Sequence, residues 1–184
     1  MEPARGGLGR DAAPPAVTAH LIVLRGNSGS GKSTVAVALR ERLGANAALV
    51  QQDFVRRTVL REDGGGDNRA TAGLLAQMAR YCLDSGYHVV LEGILDRGRY
   101  SEMLEPLWRS RLWDTHLYYF QIGFAETARR HATRPESAHF DVAKMRSWYR
   151  EDDRVTFAQE AVIPESSTME ESVARIMRDL QSPR

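Results

Sequence analysis

Residues 20–34 read HLIVLRGNSGSGKST. An apolar run leads directly into a glycine-rich turn, and the turn leads directly into a helical pattern. The turn, residues 26–34, fits G-x-x-x-x-G-K-[ST]. A strand before it and a helix after it are the setting in which that pattern cradles phosphate. Gly26, Gly29 and Gly31 let the backbone close around an anion, in part at φ values closed to other residues. Backbone N–H groups along Asn27, Ser28, Gly29, Ser30 and Gly31 converge on a β-phosphate, and the positive end of the following helix adds to them. Lys32 is a flexible point charge for the β- and γ-phosphates. Ser33 completes the motif and offers its hydroxyl to Mg²⁺, and Thr34 follows as a further nucleotide-binding candidate. Of the 25 Lys plus Arg residues only Lys32 and Lys144 are lysines, so a lysine at the one position that needs it is informative. The expected ligand is ATP with Mg²⁺.

Four further apolar runs follow: AALV at 47–50, YHVVLE at 87–92, THLYYFQI at 115–122 and EAVI at 160–163. Helical periodicity separates them. Residues 33–43 have apolar positions at 35, 39 and 43. Residues 71–83 have them at 71, 74, 75, 78 and 82, with Gly86 as a stop signal. Pro106 is expected to kink or restart the helix around LEPLW. The last helix opens on Thr168 and Glu171, a capping-box pair, and is expected to bury Val173, Ile176, Met177 and Leu180. Strands alternating with helices imply an α/β fold, a parallel sheet covered on both faces. Such sheets bind ligands outside the carboxyl ends of their strands.

The length of 184 residues suits a single domain. Residues 1–17 read as a disordered leader and 18–184 as the domain, with the GGG at 64–66 a flexible joint. No apolar run approaches the roughly 20 residues of a membrane helix. The formal net charge of +1 argues against broad, charge-driven binding to nucleic acid. Cys82 is the only cysteine, so no intramolecular disulfide can form, which suits a cytoplasmic location. It is expected to be a buried structural thiol. The histidines show no zinc-ligand spacing.

The motif names a donor and not its acceptor. The N-K-x-D motif of GTPases is missing. Where motor ATPases end a strand on a D-E pair, this chain has Glu92 followed by Gly93, which suits a kinase. Glu92 could serve Mg²⁺ through water or the acceptor directly. After the second apolar run comes QQDFVRR. Asp53 is expected to face the γ-phosphate and take the proton of an attacking hydroxyl as the bond forms. The competing role is a helix N-cap. Arg56 or Arg57, one turn on, could clamp an acceptor bearing hydroxyls or negative charge.

Residues 125–150 hold six Lys and Arg against three acids. A kinase must exclude water and meet developing phosphoryl charge with cations from its open side. This stretch therefore reads as a lid, against the alternative of a solvated basic helix. Arg134 is the candidate for the β- and γ-phosphates, and Arg130 for phosphate or adenine.

With the P-loop, Asp53-x-x-Arg56 and the Arg130-x-x-x-Arg134 spacing in view, residues 20–182 resemble the small P-loop kinases. These include the zeta toxins, chloramphenicol phosphotransferase, the kinase domain of phage polynucleotide kinase and bacterial uridine kinase-like proteins. The resemblance implies a P-loop NTPase three-layer sandwich with strand order 2-3-1-4-5 and a helical lid. It also implies that Asp53 is the base, that Arg56 binds the acceptor, and that Pro164 and Ser167 border the adenine. The expected function is an ATP-dependent kinase, a phosphotransferase whose acceptor is an alcohol on a nucleoside, sugar or antibiotic. Alternatives are a 5′-hydroxyl polynucleotide kinase and an ATP-binding switch with little turnover. The resemblance does not carry the acceptor's identity.

Overall fold

A computed structural model describes residues 18–62, 66–132 and 142–181. Five strands, β1 (His20–Gly26), β2 (Ala47–Gln51), β3 (His88–Glu92), β4 (Asp114–Gln121) and β5 (Ala161–Pro164), form one sheet in the order β2-β3-β1-β4-β5. Every pairing is parallel. The strands match the five apolar runs to within one residue at either end. The helices are α1 (Lys32–Leu43), α2 (Gln52–Phe54), α3 (Arg69–Asp84), α4 (Arg97–Arg109), α5 (Phe124–Ala132), α6 (Val142–Trp148) and α7 (Met169–Asp179). A π-helical turn, Val55–Val59, continues α2. None of the described helices is long and apolar enough to cross a membrane. This is the α/β P-loop NTPase fold, with helices on both sides of the sheet.

Alternation along the strands divides the core in two. Leu21, Val23, Val89, Leu91 and Leu117 pack with Leu75, Ala79, Tyr100 and Leu104 of α3 and α4. Ile22, Leu24, Val90 and Phe120 pack with Val35 and Leu39 of α1 and Ile176 of α7. The capping box of α7 forms in both directions, Glu171 N–H to Thr168 Oγ1 at 3.1 Å and Thr168 N–H to the Glu171 carboxylate at 2.9 Å. Ile176 is fully buried, while Val173, Met177 and Leu180 lie at the margin of that core.

Two expectations need correction. The buried line of α3 is Thr71, Ala72, Leu75, Ala79 and Leu83, one position round from the apolar count. Ala72 and Ala79 let the helix approach the sheet closely, and the larger Leu74, Met78 and Cys82 are left flanking and half-buried. Cys82 is thus only partly buried, and burial pushes its thiol up. Pro106, secondly, lies inside a continuous α4, so the helix does not restart there. Pro106 and Glu102 both face solvent, so water can satisfy the carbonyl that the missing N–H would have bonded. Meanwhile Tyr100, Met103, Leu104 and Leu107 anchor the opposite face. Arg134, the leader 1–17 and most of the GGG joint fall outside the described residues.

The last side chain of β1 before the cradle is Arg25, and it is fully buried. Its Nη1 donates to both carboxylate oxygens of Glu160 at 2.9 and 2.8 Å, and its Nε and Nη2 donate to the Leu95 carbonyl at 3.0 and 2.8 Å. Nη2 also reaches the Asp153 carbonyl at 3.0 Å and its carboxylate at 3.2 Å. Leu95 holds a left-handed φ of 43° while presenting that carbonyl. Burial pushes the Asp153 carboxyl up; Arg97 N–H and the Arg25 charge oppose this. One guanidinium therefore joins the end of β1, the loop after β3 and the segment leading into β5. Replacing Arg25 with Met leaves the buried Glu160 without its cation, with only the Val155 N–H on Oε2, and should lower the unfolding free energy by roughly 3–5 kcal/mol in urea titrations. Adding Glu160→Met should recover at least half of that loss. A single-variant loss below about 1 kcal/mol would mean that the cluster is not load-sharing.

Candidate active site

The sheet register brings the functional side chains to one edge. Leu24 and Gln51 both pair with Glu92, and Gly26 pairs with Phe120. The cradle starts there. Gly26 has φ 139°, and a Cβ on it would lie 2.7 Å from the Phe120 carbonyl oxygen. Gly29 has φ 77°, and its Cβ would meet the Thr127 carbonyl oxygen at 2.8 Å. At these two positions glycine is required twice over, by φ and by space. Gly31, left-handed at φ 95°, opens α1. Lys32 is buried and donates to the Asn27 carbonyl at 2.7 Å and to Ser30 Oγ at 3.1 Å. Ser28 is half-exposed, and Ser33 and Thr34 are exposed on the first turn of α1.

Ser33 Oγ donates to Glu92 Oε2 at 3.2 Å, and Gln51 Nε2 donates to Glu92 Oε1 at 2.9 Å. Both oxygens of this buried carboxylate are therefore positioned, one by the helix of the cradle and one by the neighbouring strand. Sequence reading missed Gln51, because a glutamine closing a strand has no motif of its own.

Beyond β2, Gln52 turns inward and Asp53 outward. Gln52 Nε2 donates to Tyr100 Oη at 2.7 Å, and Gln52 Oε1 accepts the Leu95 N–H at 3.3 Å. A Cβ at Gly93 would fall 2.5 Å from Gln52, so the glycine after Glu92 makes room for this clamp. Asp53 keeps 60% of its side chain exposed. Its Oδ1 pairs with Arg56 Nη2 at 3.2 Å and Arg57 Nε at 3.5 Å. The structure thus joins Asp53, Arg56 and Arg57 into one group, whose partners are one another and not Glu92 or the cradle. Arg56 is mostly buried, at 17% side-chain exposure, and its Nε is buried with no hydrogen-bond partner.

The stretch expected from its sequence to be a lid opens with α5. Arg130 donates to the Ser30 carbonyl at 3.3 Å and to the Glu165 carbonyl at 3.4 Å. It thereby brings together the cradle and the turn after β5, where the Ser167 N–H bonds the Pro164 carbonyl at 3.1 Å. Glu126 pairs with both Arg129 and Arg130, and hydrogen bonds from the two hold its carboxyl at about 2. Past the undescribed residues 133–141, α6 returns. Tyr149 meets Phe124 edge-on with ring centroids 5.3 Å apart, and Arg146 lies 4.5 Å over the Phe124 ring. Asn27 has its side chain on the backbone of Arg150, with bonds of 2.7 and 2.9 Å.

A family model described as an AAA domain matches residues 21–156. No curated protein matches the chain. Among solved structures, the chain is similar to the APS kinase CysC of Mycobacterium tuberculosis, solved with AMPPNP and APS. That match has a TM-score of 0.73 and 19% identity, covering 92% of this chain and 100% of that one. A sugar kinase from Janibacter sp. HTCC2649 gives 0.67 and 18%, over 90% and 95%. A gluconokinase from Sinorhizobium meliloti 1021 gives 0.57 and 18%, over 88% and 95%. At such identities the likeness is one of fold, and the fold is that of P-loop kinases. These matches bear out the wider resemblance and leave its narrower part, the zeta toxin and chloramphenicol phosphotransferase group, open. The chain belongs to the AAA domain family.

Proposed function

We propose that the protein is an ATP-dependent kinase that transfers the γ-phosphoryl group to a hydroxyl of a small molecule, with Asp53 as general base. One observation supports this above the others. The strand pair that fixes Glu92 against Ser33 also ends, two residues after Gln51, in an exposed carboxylate flanked by two arginines. A loose phosphoryl transition state needs an in-line oxygen and a proton acceptor beside it. Arg56 and Arg57 would exchange part of their pairing with Asp53 for contact with the acceptor, leaving the carboxylate to the hydroxyl proton. Ser33 and Glu92 are hard oxygen donors held together, which fits Mg²⁺, an ion that takes few protein ligands alongside substrate phosphates and water. When bound, Mg²⁺ would offset charge on the β- and γ-phosphates. Lys32 would move from the Asn27 carbonyl to those phosphates, and Arg130, with Pro164 and Ser167, would border the nucleotide. Arg134 would meet the transferring group from the lid. The near-neutral net charge favours a small acceptor over a polynucleotide, and a single cysteine, Cys82, suits a reducing cytoplasm.

Incubation with γ-labelled ATP and a panel of nucleosides, sugars, aminoglycosides and short oligonucleotides should label one class of small acceptor. Label passing only to water would remove the kinase reading in favour of a nucleotide switch, and label on oligonucleotides would favour the polynucleotide kinase. Asp53→Asn should keep ATP affinity and cut turnover about a hundredfold or more; near-normal turnover would dismiss Asp53 as base. Arg134→Ala should lower kcat more than it weakens ATP binding, whereas equal losses would indicate ground-state binding alone.

A further inference from the structure

We infer that Asn27 is a positioning residue that ties the second root of the lid to the phosphate cradle. Its place in the motif is one where any residue is tolerated, since the cradle uses backbone N–H groups there. In this chain the residue is 7% exposed, and both polar atoms of its side chain are engaged. Asn27 Nδ2 donates to the Arg150 carbonyl at 2.7 Å, and the Arg150 N–H donates back to Asn27 Oδ1 at 2.9 Å. The pair mimics a backbone ladder between two segments that are far apart in sequence. The same residue's main-chain carbonyl accepts Lys32 Nζ at 2.7 Å. Asn27 therefore holds the phosphate-binding lysine with its backbone and the lid with its amide.

The surroundings point the same way. Arg25, two residues earlier, bonds the carbonyl and carboxylate of Asp153, three residues after Arg150. Tyr149 Oη donates to the Ile122 carbonyl at 3.1 Å, which ties the second root of the lid to the strand that leads into the first. A Cβ at Gly29 would lie 3.5 Å from Met145 Cε of α6. The stretch after α6 is thus pinned at 149, 150 and 153, and the pin nearest the phosphates is Asn27. Small displacements between groups that act on one phosphoryl group cost large factors in rate. The amide fixes where the stretch from Tyr149 to Asp153 sits against the cradle.

The consequence for catalysis rests on the kinase reading; the tie itself does not. Hydrogen exchange on the nucleotide-free full chain tests the tie without any acceptor. In Asn27→Ala the Arg150 amide should exchange at least about tenfold faster than in the wild type. Arg150→Ala should stay within about twofold, because the tie uses only the Arg150 backbone. With the acceptor found by labelling, Asn27→Ala should lower kcat about tenfold while the Kd for a non-hydrolysable ATP analogue moves less than about threefold. Wild-type exchange at Arg150 in Asn27→Ala overturns the tie. Faster exchange with unchanged kcat overturns the positioning role and leaves only packing. Should Asn27→Ala fail to fold, Asn27→Leu, which keeps the bulk and loses both donor and acceptor, decides by the same exchange readout. If the wild type labels no acceptor, the kinase reading fails while exchange still decides the tie.

Discussion

A guanidinium with no access to water cannot be left to itself. Arg25 sits where β1 stops being core and starts being site, and its charge must be met by groups brought in from elsewhere. Glu160, Asp153 and the Leu95 carbonyl come from two other parts of the chain. Meeting that demand fixes the loop after β3, the crossing segment before β5 and the start of α4, whose Arg97 N–H bonds the same Asp153 carboxylate at 2.9 Å. The cradle begins at the very next residue. Its geometry is therefore set from below by an ionic cluster and from the side by Phe120 and Thr127, which leave no room for a Cβ at Gly26 or Gly29. Packing alone would not specify this path, because apolar side chains tolerate many neighbours of similar volume. Directional bonds to one buried cation do not.

The same logic runs outward along the strand ends. Glu92 is held on both oxygens, and Gln52 is held at both ends of its amide. Two consecutive glutamines thus act in opposite directions. Gln51 steadies a carboxylate toward the cradle, and Gln52 locks the loop after β3 to α4. Between them they fix where the chain leaves β2, and so where Asp53 emerges. Loops hold a fixed course only where a scaffold aims them, and here the two glutamines supply that aim.

Much of this was legible in the residues. The cradle, the five strands and the capping box of α7 announce themselves through local patterns, and local patterns are what periodicity and turn chemistry can read. The buried line of α3 was misplaced because counting large apolar side chains ignores alanine, which brings a helix close to a sheet. That α4 runs on through Pro106 instead of restarting depends on the face the proline occupies, which residue type alone does not give. Arg25 was treated as the end of an apolar run. A lone charge between Leu24 and Gly26, at the exit of a central strand, was nonetheless a signal that something distant must neutralise it. Asn27 and Gln51 left no signal, since their partners are backbone and strand neighbours known only after folding.

Satisfaction of buried polar groups is uneven across the described residues. Those of Arg25, Lys32, Glu92 and Gln52 all have bonds within the protein. Among the described residues, the buried polar atoms without a partner are Arg56 Nε, Asn68 Oδ1 and Ser101 Oγ. Arg61 and Asn68 both hold left-handed φ, 55° and 57°, and the turn carrying Arg56 and Arg57 is π-helical, a form costly enough to be rare and frequent at functional sites. Strain and unsatisfied groups persist only where surrounding structure enforces them. A shared fold carries different chemistries through the sites grafted on it. In this chain one unpartnered buried atom, Arg56 Nε, and the π-helical turn coincide on the residues that follow β2.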